Sequence, residues 1–170
     1  GTIPKEEHEQ VSLKASIGDV IHRLGAAELQ DKGVLANCEV NIIQLEETAV
    51  YKNYQSELSY LVGDKQRLDY MAGLIKSISE SGNTLVLIDR IKTGKGLTER
   101  VDTSVFISGS VKTDERREHY DEIQDSDNKI IIATYGVASV GINIPWIFNL
   151  VLVESGKSFV RVIQSIGRGI

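Results

Sequence analysis

The stretch Ile130-Ile131-Ile132-Ala133-Thr134-Tyr135-Gly136, continued by Gly141-Ile142-Asn143-Ile144-Pro145 and then by Gln164-Ser165-Ile166-Gly167-Arg168, decides how the whole chain is read. It opens on a β-branched apolar run without polar alternation, the pattern of a strand buried on both faces. The run ends in Ala133-Thr134, passes through a turn of small residues and closes on Gly-Ile-Asn-Ile-Pro. Runs of the same texture stand at 84–88 (TLVLI), 105–107 (VFI), 129–133 (KIIIA) and 148–153 (FNLVLV). Short, apolar and β-branched, they read as neighbouring strands of one parallel sheet.

The intervening segments carry helical periodicity. Residues 65–79 place Leu68, Met71, Ala72, Ile75 and Ile78 on one face. Residues 113–123 begin with the N-cap Thr113 and follow it with Asp114 and Glu115, whose charge suits the positive helix end. Residues 159–166 give a last short helix with Phe159, Val162, Ile163 and Ile166 inward. Strands alternating with helices predict an α/β fold, a parallel sheet covered on both faces that takes its ligands at the carboxyl ends of the strands. Up to about Glu47 the texture differs: short apolar patches at 20–24 and 36–45 are separated by glycines and polar residues, and the segment reads as irregular.

Composition narrows the function. The chain has 170 residues, 41% hydrophobic and 25% charged, as an ordinary globular protein does. No uncharged apolar run approaches the roughly 20 residues that cross a bilayer, and no signal peptide is seen, so no membrane is expected. The formal charge of −5 argues against bulk electrostatic binding of nucleic acid; any such contact rests on a few backbone amides and hydroxyls. Cys38 is the single cysteine, which fits a reducing cytoplasm, and His8, His22 and His119 are too scattered to hold zinc, so no metal site is expected.

Two glycine-lysine pairs imitate a phosphate loop. Gly156-Lys157-Ser158 follows a strand, but the glycine that a Walker A motif needs five positions earlier is replaced by Val151. Gly94-Lys95 is followed by Gly96 where a hydroxyl should hold magnesium. Both read as strand-to-helix turns, and no Walker B carboxylate pair follows an apolar strand. The chain is therefore expected not to bind and cleave ATP unaided.

The opening constellation resembles motifs V and VI of superfamily 2 helicases: an Ala-Thr strand end, Gly-aliphatic-Asp-aliphatic-Pro, then Gln-x-x-Gly-Arg-x-x-Arg. Residues 84–89 resemble motif IV. Ile107-Ser108-Gly109 with Arg116 resembles the strand, glycine and arginine that follow it, and Gly1-Thr2 resembles the tail of motif III. The Ala-Thr-Tyr-Gly-Val and Gln-x-Ile-Gly-Arg wording is similar to that of UvsW-type DNA helicases of T-even-like phages. The resemblance implies a RecA-like, P-loop NTPase-like second lobe over 48–170, preceded over 1–47 by the end of a first lobe and an irregular interlobe connector. Two departures stand out: Asn143 replaces the commoner Asp of motif V, and the second arginine of motif VI falls one position beyond Ile170.

By the same resemblance, ATP and Mg lie between two RecA-like lobes, held mainly by the first. Gly141, Asn143, Gln164 and Arg168 face the nucleotide, with Arg168 as the catalytic arginine that neutralises charge on the transferred phosphoryl group. Ser108, Gly109, Thr134 and Gly136 are the expected phosphodiester contacts, since a hydroxyl or an exposed glycine amide holds a phosphate without reading bases. Turn chemistry alone also puts such residues at strand ends. Arg116 is either a surface contact to nucleic acid or the ion-pair partner of an acid such as Glu115. Tyr51, Tyr54, Tyr60 and Tyr70 read as packing for the added segment, with base stacking as the alternative. The implied partners are the first lobe and single-stranded or branched DNA, with RNA left open, in the cytoplasm (a host's, for a phage protein). The contrasting possibility is a non-catalytic RecA-like module that binds nucleic acid or a protein.

Overall fold

The computed structural model describes residues 6–22, 24–34, 37, 39–46, 49–123, 125–138 and 146–154. They fall into two units, one reaching Ile43 and one starting at Gln44. In the first unit, two helices, α1 (Glu7–Ile17) and α2 (Ala26–Asp31), stand in the segment whose sequence reads as irregular. Helix α1 buries none of its residues, and Val11 and Ile17 are exposed along it. An apolar stripe at helical spacing was the signal sought in the sequence, and a helix without a buried face does not produce one.

The second unit runs α3 (Tyr54–Gly63), α4 (Lys65–Ser79), β1 (Thr84–Ile88), α5 (Ile91–Thr98), β2 (Ser104–Ile107), α6 (Thr113–Asp121), β3 (Ile130–Thr134), α7 (Tyr135–Ala138) and β4 (Asn149–Leu152). The four strands form one sheet in the order β2-β3-β1-β4, and every pairing is parallel. The central strands are the buried ones: β1 throughout and β3 in all but its last residue, while β4 at the edge is half-buried. This is the four-strand parallel sheet expected, with ends moved by a residue or so.

Side chains alternate strictly between two cores, as the period of two in a strand requires. Val86, Ile88, Ile130 and Ile132 point to a layer closed by Leu68, Met71, Ala72 and Ile75 of α4 and by Leu97 of α5. Leu85, Leu87, Ile131 and Ala133 point to the opposite layer, with Ile123, Tyr135 and Val137. Helix α4 spans the residues expected of it, started by the Asp64 carboxylate, which accepts from the Arg67 amide at 2.7 Å. Helix α6 stops two residues earlier than expected.

One reading is corrected. Gly94-Lys95 is not a strand-to-helix turn but lies in the middle of α5. Two glycines make this a poor helix by propensity, costing about 1 kcal/mol each relative to alanine. Packing overrides that cost: Thr93, Gly94 and Leu97 are buried. A Cβ at position 94 would stand 2.4 Å from Phe106 Cε2 and 2.7 Å from Ile88 Cδ1, so only glycine lets the helix come this close to the sheet.

At the amino ends of the strands, Asn83 ties the loops together. Its Nδ2 donates to the carbonyls of Ile123 (3.1 Å), Ser126 (2.7 Å) and Trp146 (3.2 Å), and its Oδ1 accepts from the Lys129 amide at 2.8 Å. Trp146 is one of two non-glycine residues with positive φ among those described, at 68°. The strain of that conformation is offset by the bond its carbonyl makes to Asn83.

Candidate functional site

The opposite, carboxyl edge is where a parallel sheet offers room for a ligand. Register brings three strand ends level there. Ile107 pairs with Ala133 and Thr134 pairs with Ile88, so Ser108 stands level with Thr134 on the neighbouring strand. Helix α5, following β1, belongs to one core layer, whereas α7, following β3, belongs to the other. Adjacent strands whose continuations leave on opposite faces are where a parallel sheet generally takes its ligand, and Thr134 ends one of these two strands.

Small polar residues and glycines line this edge. Thr134 is half-buried, and Gly109 and Gly136 are exposed. Neither glycine has positive φ, and a Cβ built on either would meet nothing within 4 Å. The fold thus requires glycine at neither position, in contrast to Gly94. What glycine does provide at both is a backbone that a ligand can approach without a side chain in between.

The segment after β2 is a tight turn. The Val111 amide donates to the Ser108 carbonyl at 3.1 Å, and the hydroxyls of the buried Ser108 and of Ser110 are 2.8 Å apart. Arg116, half-buried on α6, donates from Nε to the Val111 carbonyl at 2.7 Å and from Nη2 to the Gly109 carbonyl at 3.4 Å. It makes no ion pair with Glu115 among the described residues. Of the two expectations for Arg116, pairing with Glu115 is therefore not realised.

A further carboxylate stands on the same edge, beyond β4. Glu154 has φ of 57° and accepts from the Thr93 hydroxyl at 2.8 Å and from the Arg90 amide at 3.3 Å. Thr93 is fully buried, and Arg90 is the N-cap of α5. Glu154 thus caps α5 from a strand 61 positions away in sequence, stabilising the positive helix end. No local pattern signals such a cap, whereas Ser110 is signalled by the small polar run Ser108-Gly109-Ser110.

The remaining expectations divide. Gly141, Asn143, Gln164 and Arg168 lie outside the described residues, as do Cys38, the Gly156-Lys157-Ser158 turn and the helix expected at 159–166. Tyr51 and Tyr60 pack on one another with ring centroids 5.2 Å apart, whereas Tyr54 and Tyr70 are exposed. Among the described residues, no three His, Cys, Asp or Glu side chains gather as a metal site, and no helix is long and apolar enough to cross a membrane.

A four-stranded parallel sheet with helices on both faces and a small-residue carboxyl edge defines a RecA-like lobe, the C-terminal lobe of a superfamily 2 helicase. The chain belongs to the helicase conserved C-terminal domain family, whose model matches residues 66–170. It is similar to the ATP-dependent DNA helicase uvsW of Enterobacteria phage T4, 27% identical in an alignment of 162 positions, gaps included, that covers 89% of this chain and 32% of that protein. It is also similar to putative helicase 22 of Sulfolobus islandicus filamentous virus (isolate Iceland/Hveragerdi), 29% identical in an alignment of 119 positions, gaps included, that covers 58% of this chain and 21% of that one. The crystal structure of T4 UvsW matches it with a TM-score of 0.60 at 30% identity, over 69% of this chain and 25% of that chain. The chain thus spans about a third of the length of the first relative.

Proposed function

We propose that the chain is the second motor lobe of an ATP-dependent DNA helicase or translocase that unwinds or remodels branched DNA. In this reading residues 1–47 are the end of a first RecA-like lobe and the interlobe connector, and 48–170 are the second lobe. The first lobe holds ATP and Mg, while Gly141, Asn143, Gln164 and Arg168 supply the facing side of the nucleotide site. Ser108, Gly109, Thr134 and Gly136 hold the phosphodiester backbone, and the protein works in the cytoplasm.

The observation that carries the reading is the pair of glycines at the carboxyl edge that the fold does not need, on a chain of the helicase family. Backbone amides and hydroxyls bind phosphates without a basic surface, which reconciles nucleic-acid binding with a charge of −5. The test uses the complete polypeptide carrying this chain. Gly136→Ala and Thr134→Val are expected to leave stability within about 0.5 kcal/mol of the parent, as surface changes usually do. Both should weaken single-stranded DNA binding and lower DNA-stimulated ATP hydrolysis several-fold. Normal DNA binding in both variants, or losses that merely follow a loss of stability, would remove the interface from this edge.

A further inference from the structure

We propose that Arg116 is a positioning residue: its guanidinium holds the carbonyls of Gly109 and Val111, and so turns the donor side of the Ser108–Val111 turn toward a nucleic-acid phosphate. The inference rests on the reading of the carboxyl edge as a phosphodiester-binding surface.

An exposed turn presents carbonyls and amides in either direction, and a phosphate is attracted by the amides and repelled by the carbonyls. Across a trans peptide the C=O and N–H point in opposite directions. When Arg116 draws the Gly109 carbonyl to itself, the Ser110 amide must face the other way. The stronger bond to Val111, at 2.7 Å, fixes the far end of the same turn, and the Val111 amide closes it onto Ser108. Arg116 is itself anchored in α6, where its amide donates to the Lys112 carbonyl at 3.0 Å. The planar guanidinium spans two carbonyls at once, which an ammonium on a flexible stem does not do in a fixed geometry. The cation therefore serves the turn: it neutralises the acceptor side and leaves the amide and hydroxyl of the exposed Ser110, the latter held by the buried Ser108 hydroxyl, to meet the ligand.

A direct contact and a positioning residue differ in what salt and charge do. An arginine that pairs with a phosphate releases about one counterion, so removing it lowers the slope of log affinity against log salt by about one. A positioning arginine leaves that slope unchanged. The experiment measures binding of a single-stranded oligonucleotide to the complete polypeptide and its R116A, R116K, S108A/S110A and R116A/S108A/S110A variants, over a range of salt, with thermal melting of each. Both Arg116 variants should bind about tenfold more weakly, the equivalent of losing one good hydrogen-bonded contact, with the parental salt slope and near-parental melting. Lysine, although it keeps the charge, should rescue nothing. In the S108A/S110A background R116A should cost little more, because both changes remove the same turn from the ligand.

A slope lowered by one, or near-normal binding by R116K, makes Arg116 a phosphate contact and overturns the proposal. So do additive losses, which belong to a residue that only supports the fold. Should R116A melt far below the parent, R116K and the coupling measurement still decide. If S108A/S110A binds as the parent does, the phosphodiester reading of this edge fails first, and the role of Arg116 fails with it.

Discussion

Asn83 concentrates more of the fold in one side chain than any motif visible in the sequence. It is 1% exposed and meets two carbonyls and one amide of the segment between α6 and β3 and the carbonyl of Trp146 ahead of β4. Asn83→Ala removes all four bonds, though the Ile123 carbonyl keeps the Ser126 amide, and a buried polar group left unsatisfied costs about 1–3 kcal/mol. Roughly 2–4 kcal/mol of destabilisation is expected from urea unfolding, after partial relaxation. Asn83→Asp should be worse near neutral pH, because a carboxylate then faces three carbonyl oxygens. Burial among acceptors raises the folded-state pKa of the new acid, so its penalty is complete at high pH and shrinks as the pH falls. A smaller deficit for Asn83→Asp than for Asn83→Ala at neutral pH would show that the amide donors are not what holds these loops. Glu122 has the opposite sign. The side-chain hydrogen bond from Lys129, followed by its charge and that of His119, holds this carboxyl below the usual carboxylate range. Its contribution is thus present above the unfolded-state value of about 4.3 and disappears as the pH drops through the lower folded-state value. Glu122→Gln should flatten the acid limb of stability below about pH 4.5 and leave its alkaline limb unchanged; an unaltered acid limb would mean that the pair does not persist in solution.

Helices α4 and α5 show what a sequence reveals and what it hides. In α4 the apolar residues at helical spacing mark the helix, which occupies residues 65–79 as expected, and the structure adds Asp64 as its N-cap. In α5 the local signals point the wrong way, with Gly94 and Gly96 among eight residues, and the helix exists because β1, β2 and Glu154 hold it. The four strands were legible because strands buried on both faces need uninterrupted β-branched runs. Tertiary caps and close approaches leave no such trace. A pair of substitutions makes the contrast measurable. Gly73, within α4, is exposed, and a Cβ there would meet nothing within 4 Å. Gly73→Ala should therefore stabilise the chain by up to about 1 kcal/mol, from propensity alone. Gly94→Ala gains the same propensity but forces Phe106 and Ile88 to move, and overpacking of this kind costs about 1–3 kcal/mol. The two are expected to shift the denaturation midpoint in opposite directions. If both stabilise, α5 has room to move away from the sheet and its glycine is not a packing requirement.

At the scale of the whole molecule, the proposed reading makes the chain one side of a two-lobed motor. Among the described residues the carboxyl edge proposed to hold nucleic acid can be traced, since strand register, which the sequence alone does not give, brings Ser108 and Thr134 level. The proposed nucleotide side rests on motif wording alone, since Gly141, Asn143, Gln164 and Arg168 lie outside the described residues and no local periodicity marks such a role. The sequence shows no Walker A motif and no Walker B carboxylate pair, so in the proposed reading hydrolysis draws on groups of the first lobe. Arg168 gives the test. An arginine aimed at the transferred phosphoryl group acts on charge that develops in the transition state, a contribution of roughly 10³–10⁵ in rate where such arginines have been removed. It should therefore affect turnover far more than ground-state binding. In the complete polypeptide, Arg168→Ala is expected to lower DNA-stimulated kcat at least about a hundredfold, roughly 3 kcal/mol of barrier. Affinity for ATP should change much less, and Arg168→Lys should recover little, because an ammonium does not present the planar fork. The 170-residue chain alone should show no ATP hydrolysis with or without DNA, so any activity of a preparation that Arg168→Ala leaves untouched belongs to a contaminant or to a nucleotide site of another kind. A variant that hydrolyses ATP normally yet no longer binds DNA would move Arg168 from the nucleotide cleft to the nucleic-acid track, and the division of labour between the two edges would have to be drawn again.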